Sequence, residues 1–171
     1  MRLKKLYSSR EVAALTGLSA RQLQWWDATR VFETAVASHR TEAGGYTERR
    51  YTPFDVLELQ ALADLRYRGF SVPRLRALIE TLRTLFGVRL YESIGEGGPL
   101  TLFVGDGRLY ARAQDGRLFD LDAPTQPLLM VGEDLLLRPV TARERKRRPA
   151  AAKAKVRKSE TPSRGRRPAG G

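Results

Sequence analysis

Residues 8–27 read SSREVAALTGLSARQLQWWD, two short helical segments joined by a tight turn. Ser8 followed by Glu11 is an S-x-x-E capping box, in which a hydroxyl and a carboxylate satisfy free N–H groups at a helix start. Val12 and Leu15 lie three apart and share a face that can be buried. Gly17 supplies the left-handed backbone that ends a helix at low cost, and Ser19 caps a second helix two residues later. On that helix Ala20, Leu23 and Trp26 fall on one side. Arg21, Gln24 and Trp25 fall on the other, with Gln22 at the margin. A buried side and a long-reaching polar side are what a helix in the major groove of DNA requires, since Arg can bond guanine edges and Gln adenine edges in bidentate fashion. Taken alone, the stretch fits an ordinary amphipathic helix pair about as well.

The sequence that follows favours the helix-turn-helix. Residues 38–52 read SHRTEAGGYTERRYT, with Gly44-Gly45 as a loop tip and Arg40, Tyr46, Arg49, Arg50 and Tyr51 around it. A hairpin-like wing of this composition can lay guanidinium and phenol groups against phosphates. Thr52 then caps a third helix, with Pro53 at its first position and Asp55 in its first turn. Val56, Leu57, Leu59, Leu62 and Leu65 give that helix a wide apolar stripe, and it stops at Gly69. Ser71 caps a fourth helix whose seam is Val72, Leu75, Leu78, Ile79, Leu82, Leu85 and Phe86. These apolar positions read as core or partner surface, not as a ligand box.

Three segments in this order, EVAALTGLSARQLQWWD, RTEAGGYTERRY and LADLRYRGFSVPRLRALIE, resemble the MerR family of bacterial transcription regulators over roughly residues 7–86. The resemblance implies a winged helix-turn-helix that binds promoter DNA as a homodimer and distorts it between the promoter elements, with RNA polymerase as a further partner. By position it implies that Arg21, Gln22 and Gln24, flanked by Ser19 and Trp25, meet the major groove. It implies likewise that Arg40, Tyr46, Arg49 and Arg50 meet the backbone. The chain departs from the family pattern at Gln24-Trp25-Trp26, where Arg followed by two aromatics is usual. Thr47 and Glu48 look like an insertion in the wing, and residues 31–39 lack the usual Leu-Pro pattern. His39, the only histidine, cannot build a metal site or proton relay by itself.

Charge is distributed unevenly. The whole chain carries +12, yet residues 141–171 hold 12 basic and 2 acidic residues, residues 1–90 hold 15 and 9, and residues 91–140 hold 4 and 8. The positive field therefore lies on the DNA-reading segment and on the tail, and the middle is unsuited to phosphate. The tail, rich in Pro, Ala, Lys and Arg, cannot bury enough surface to offset its ordering entropy and reads as disordered. It would add salt-dependent affinity by counterion release, so its removal should flatten the salt dependence of binding without altering sequence preference. The chain contains no cysteine, which excludes disulfides and thiolate-based sensing. There is no secretion-signal pattern and no apolar run near the ~20 residues that span a bilayer, so a cytoplasmic, nucleoid-associated location and no membrane partner are expected.

Residues 91–140 change character. After GEGGPL come LTLFV, RLYARA, RLFDL, PLLMV and DLLLRPV, which read as short strands, with Asp106-Gly107 and Asp115-Gly116 as two-residue turns. Leu102, Val104, Leu109, Leu118 and Leu121 are the inward candidates. Asp120 and Asp122, beside a loop, are expected to face solvent. The helical pattern ends near Gly87, so dimerisation would use the fourth helix, the sheet or both.

The sequence thus predicts an α+β chain. Residues 1–90 form a four-helix winged helix-turn-helix of MerR type, 91–140 a small antiparallel β-meander for dimerisation or effector response, and 141–171 a disordered basic tail. No catalytic constellation, metal set or cofactor motif is present, and none of these is expected. The expected function is sequence-specific transcription regulation. An excisionase-like or architectural DNA-bending factor and an antitoxin-like protein-interaction module are the alternatives.

Overall fold

The computed structural model describes residues 4–34, 39–40, 47–128 and 137–142, with only the backbone of His39, Arg40, Thr47 and Glu48. The elements run β1 (Tyr7–Ser8), α1 (Ser9–Thr16), α2 (Ala20–Ala28), β2 (His39–Arg40), β3 (Thr47–Glu48), β4 (Arg50–Tyr51), α3 (Pro53–Tyr67) and α4 (Val72–Leu85). A single 3₁₀ turn at Leu90–Ser93 leads to β5 (Leu100–Gly105), β6 (Arg108–Ala113), β7 (Leu118–Asp120) and β8 (Arg138–Pro139).

Each of the four α-helices starts where a short side chain can accept a backbone N–H. Ser8 Oγ accepts from Glu11 N–H while the Ser8 N–H donates to the Glu11 carboxylate at 2.9 Å. Thr52 and Asp55 repeat the arrangement at α3, and Ser71 accepts from Arg74 N–H at α4. Gly17 closes α1 at φ 73°, a left-handed backbone that a side chain would strain.

Helix α3 is the spine. From Asp55 to Leu65 only Leu57 reaches solvent, so its buried surface wraps all the way round. The polar residues this encloses need partners, because a buried charge without one is costly. Asp55 accepts from Thr52 N–H at 2.8 Å. Glu58 takes two hydrogen bonds from Arg89 (3.3 and 2.9 Å) and one from Tyr91 N–H (3.2 Å). Asp64 accepts from Arg68 Nε at 2.7 Å. Gly69, at φ 97°, then turns the chain into α4, and Phe70 enters the core.

The C-terminal sheet has strand order β7-β6-β5-β8, antiparallel throughout. Asp106 (φ 46°) and Gly107 (φ 70°) make the two-residue turn between β5 and β6 with both central residues left-handed, the geometry that suits the strand twist. One face of the sheet, carrying Leu100, Leu102, Leu109 and Ala111, shares a single apolar cluster with Val12, Leu62, Leu75 and Val140. The opposite face carries Phe103, Tyr110 and Leu118 as a second cluster. Arg74 fastens the sheet to α4, donating to Gly107 O (3.1 Å) and to Asp122 (2.8 Å). Phe86 meets Phe119 edge-on at 5.2 Å.

Several expectations need correction. Ala20 is exposed because, as the first residue of α2, it has no preceding helical turn to lie against. Leu57 and Leu85 are exposed at 40% and 58%, each at the edge of a stripe wider than the surface that covers it. Tyr51 is buried (2% exposed) instead of facing phosphate, since β4 pairs with β1 and turns the ring inward. Asp120 is buried and bound by Arg108 at 2.6 Å instead of facing solvent. The Asp115-Gly116 turn spans three residues. Ala113 N–H donates to Arg117 O and Gly116 N–H to Ala113 O, with Gly116 left-handed at φ 84°. Leu118 belongs to the opposite face from Leu102. The last strand returns to the far edge, beside β5, so the sheet is not a simple meander. Of the PLLMV segment, Leu128 bridges to Leu118 and residues 129–131 lie outside the described residues, as do Gly44-Gly45 and the tail from 143 onward.

Candidate nucleic-acid interface

The site is built on α2. Its start is fixed by a reciprocal pair in which Gln22 N–H donates to Ser19 Oγ (3.1 Å) and Ser19 N–H donates to Gln22 Oε1 (2.8 Å). Ser19 and Gln22 are thereby committed to one another, and Gln22, placed at the margin by spacing, serves the cap. Leu23 and Trp26 anchor the helix in the core at 3% and 2% exposure. Arg21, Gln24 and Trp25 stand on the outer surface, with the Trp25 ring about half exposed. These are the three residues that the spacing assigned to the polar face.

The far end of α2 is held from three directions. Val31 and Phe32 are buried behind it, and their N–H groups donate to Trp26 O at 2.9 and 3.3 Å. Arg30 adopts φ 55°, a left-handed conformation that costs a non-glycine residue about 1–2 kcal/mol and that sequence reading had no glycine to announce. Arg76 of α4 donates to the Thr29 carbonyl at the helix C-terminus, where a cation is favoured by the peptide dipoles. Arg49 of the wing forms an ion pair with Asp27 at 2.7 Å.

The wing is an antiparallel hairpin in which His39 pairs with Glu48 and Arg40 with Thr47. Thr47 and Glu48, which look like an insertion, are its return strand. The chain then passes through Arg49 into β4, where Arg50 pairs with Ser8 and Tyr51 with Tyr7. Arg50 is half-buried. The side chain of Arg40 and the whole of Tyr46 lie outside the described residues. Burial pushes the Tyr51 hydroxyl above its ordinary value, the Ser9 hydrogen bond and the Arg49 charge opposing that rise. Glu11, held by Lys4 and the Ser8 cap, is drawn down to about 2.

The partners of α2 were the part that sequence reasoning missed. Asp27 and Arg49 are separated by the whole wing, and Thr29 and Arg76 by the wing and α3, so no local spacing signals either contact. Among the described residues no group of three or more His, Cys, Asp or Glu is placed to hold a metal ion, and no helix is long and apolar enough to cross a membrane.

A capped two-helix unit with an exposed polar second helix, followed by an antiparallel hairpin and a third helix, defines a winged helix-turn-helix. Residues 7–82 match the family model described as MerR HTH family regulatory protein, and that segment is a MerR-type helix-turn-helix unit. It thus carries the helix-turn-helix of a DNA-binding transcription regulator. No curated protein matches the chain.

Proposed function

We propose that the protein regulates transcription by laying α2 in the major groove of promoter DNA. In this reading Arg21, Gln24 and Trp25 meet base edges, and the cap formed by Ser19 and Gln22 approaches the backbone. Arg40, Tyr46 and Arg50 of the wing grip phosphates. The observation that carries this reading is the exposure of Arg21, Gln24 and Trp25 on a helix whose other face is locked by Leu23 and Trp26, inside the span that matches the MerR model. The active species is a homodimer that distorts the DNA between promoter elements and engages RNA polymerase. α4, the sheet or both serve dimerisation, and the sheet is the seat of any effector response.

Selection of preferred duplexes from a random pool with the purified full chain tests the proposal. Enrichment of an inverted repeat is expected. An asymmetric winner would replace the dimer with a monomer. Bending of any duplex without sequence preference would favour an architectural factor. Enrichment no better than the basic tail achieves alone would end the proposal.

A further inference from the structure

Arg49 belongs, by its place in the wing, with the residues expected on phosphate. Its geometry is that of a strut. The guanidinium sits 2.7 Å from the Asp27 carboxylate, with the two side chains only 26% and 29% exposed. Nη1 is itself buried and without a hydrogen-bond partner, so this end of the fork faces protein instead of solvent. The Arg49 charge is also felt by the buried Tyr51 hydroxyl, as is that of Asp27. One side chain therefore lies at the meeting of the last turn of α2, the wing's return strand and the inward ring of β4.

We infer that Arg49 is a positioning residue. Through Asp27 it fixes the angle between the recognition helix and the wing, and so decides whether base contacts and phosphate contacts can be made at once. This rests on the proposed docking of α2 and assigns to one of its expected phosphate ligands a different job. A planar guanidinium on a carboxylate is directional, which suits a strut better than a flexible ammonium does. A carboxylate beside a DNA surface also repels phosphate. An Asp there is a liability unless it does something else, and holding Arg49 is that role.

The sign of one substitution separates the two roles. If Arg49 were a phosphate ligand, Asp27→Asn would remove a repulsive charge and free the guanidinium, tightening binding to every duplex. If Arg49 is a strut, Asp27→Asn weakens binding to the selected site about tenfold, between the small effect of losing an exposed ion pair and the larger effect of losing a buried one. Binding to an unrelated duplex is then unchanged or tighter. Arg49→Gln should likewise cut the preference for the selected site while leaving the slope of log affinity against log salt unaltered. A lost phosphate contact would lower that slope by about 1. Arg49→Lys, which keeps the charge but not the fork, should behave like Arg49→Gln, and the exchanged pair Asp27→Arg with Arg49→Asp should recover part of the preference. Circular dichroism melting of each variant confirms that it is folded at the assay temperature.

Tighter binding of the selected site by Asp27→Asn, a slope reduced by about 1 in Arg49→Gln, or full specificity in Arg49→Lys would each overturn the strut. These outcomes leave the proposed function standing. A wild-type chain with no duplex preference would overturn both.

Discussion

Helices α2 and α3 begin the same way, with a hydroxyl and a side chain three residues on exchanging hydrogen bonds, yet they end up in opposite situations. α2 buries only Leu23 and Trp26 and turns its remaining length outward or toward single tethers. α3 buries ten residues, including four polar ones that had to be given partners. A helix secured by two apolar anchors, a cap and two arginine contacts is free to spend its surface on a partner. A helix buried from Asp55 to Leu65 except at Leu57 has little left. The two helices thus differ in how much of each the core consumes, which is the division that the proposed reading role of α2 requires.

Substitutions that hit one helix and spare the other probe this division most directly. The largest effect is expected at Leu62, fully buried on α3. Leu62→Ala should lower unfolding free energy by about 2–5 kcal/mol in denaturant titrations, through lost transfer energy and the cavity left behind. Arg21→Ala on α2 should leave that stability unchanged and cost about 1–3 kcal/mol on the best duplex, relaxing preference at one base position. Arg50→Ala should instead weaken all duplexes about equally. Identical behaviour of Arg21→Ala and Arg50→Ala on a panel of single-base variants would erase the distinction between base reader and backbone contact.

Ser19→Ala removes the α2 cap and should cost about 1 kcal/mol of stability by thermal melting, with a loss of DNA preference secondary to fraying of the first turn. The smallest effect is a pH dependence. Because burial raises the Tyr51 pKa, the folded state favours the neutral phenol. Its contribution is complete below the ordinary tyrosine value and is lost as pH rises through the raised one. Tyr51→Phe should make the decline of stability above about pH 10 shallower. An unchanged alkaline limb in denaturant titrations would show that the ring is not held away from water.

Much of this was legible where the physics is local. The caps at Ser8, Ser19, Thr52 and Ser71 depend on atoms three residues apart, and so were readable from spacing. The Asp106-Gly107 turn was readable because only a few residues tolerate two left-handed positions in succession. Periodicity assigned faces to helices but not the extent of what covers them, and so it put Leu57 and Leu85 inside and Ala20 with them. Tyr51 and Asp120 went astray for a different reason. Each is buried by a partner distant in the chain, the first by the β1 pairing and the second by Arg108 across the β6–β7 ladder. On the interface, the outward triad of Arg21, Gln24 and Trp25 was visible in the sequence. The Asp27–Arg49 pair at the far end of the same helix was not, because nothing in either neighbourhood announces the other.

The apolar cluster that runs unbroken from Val12 through Leu62 and Leu75 to Leu102 and Val140 has a bearing on how such a chain can be rearranged. Val140 N–H donates to Leu102 O, so the last described strand closes over the same oil that seats the first helix. A breakpoint between α4 and β5 would leave Leu75 and Leu82 wet on one fragment and Leu102 and Leu109 wet on the other. The helices and the sheet therefore share one core and fold as a unit. Swapping the sheet for a different domain would require redesigning the helices beneath it, not merely splicing in a new cassette.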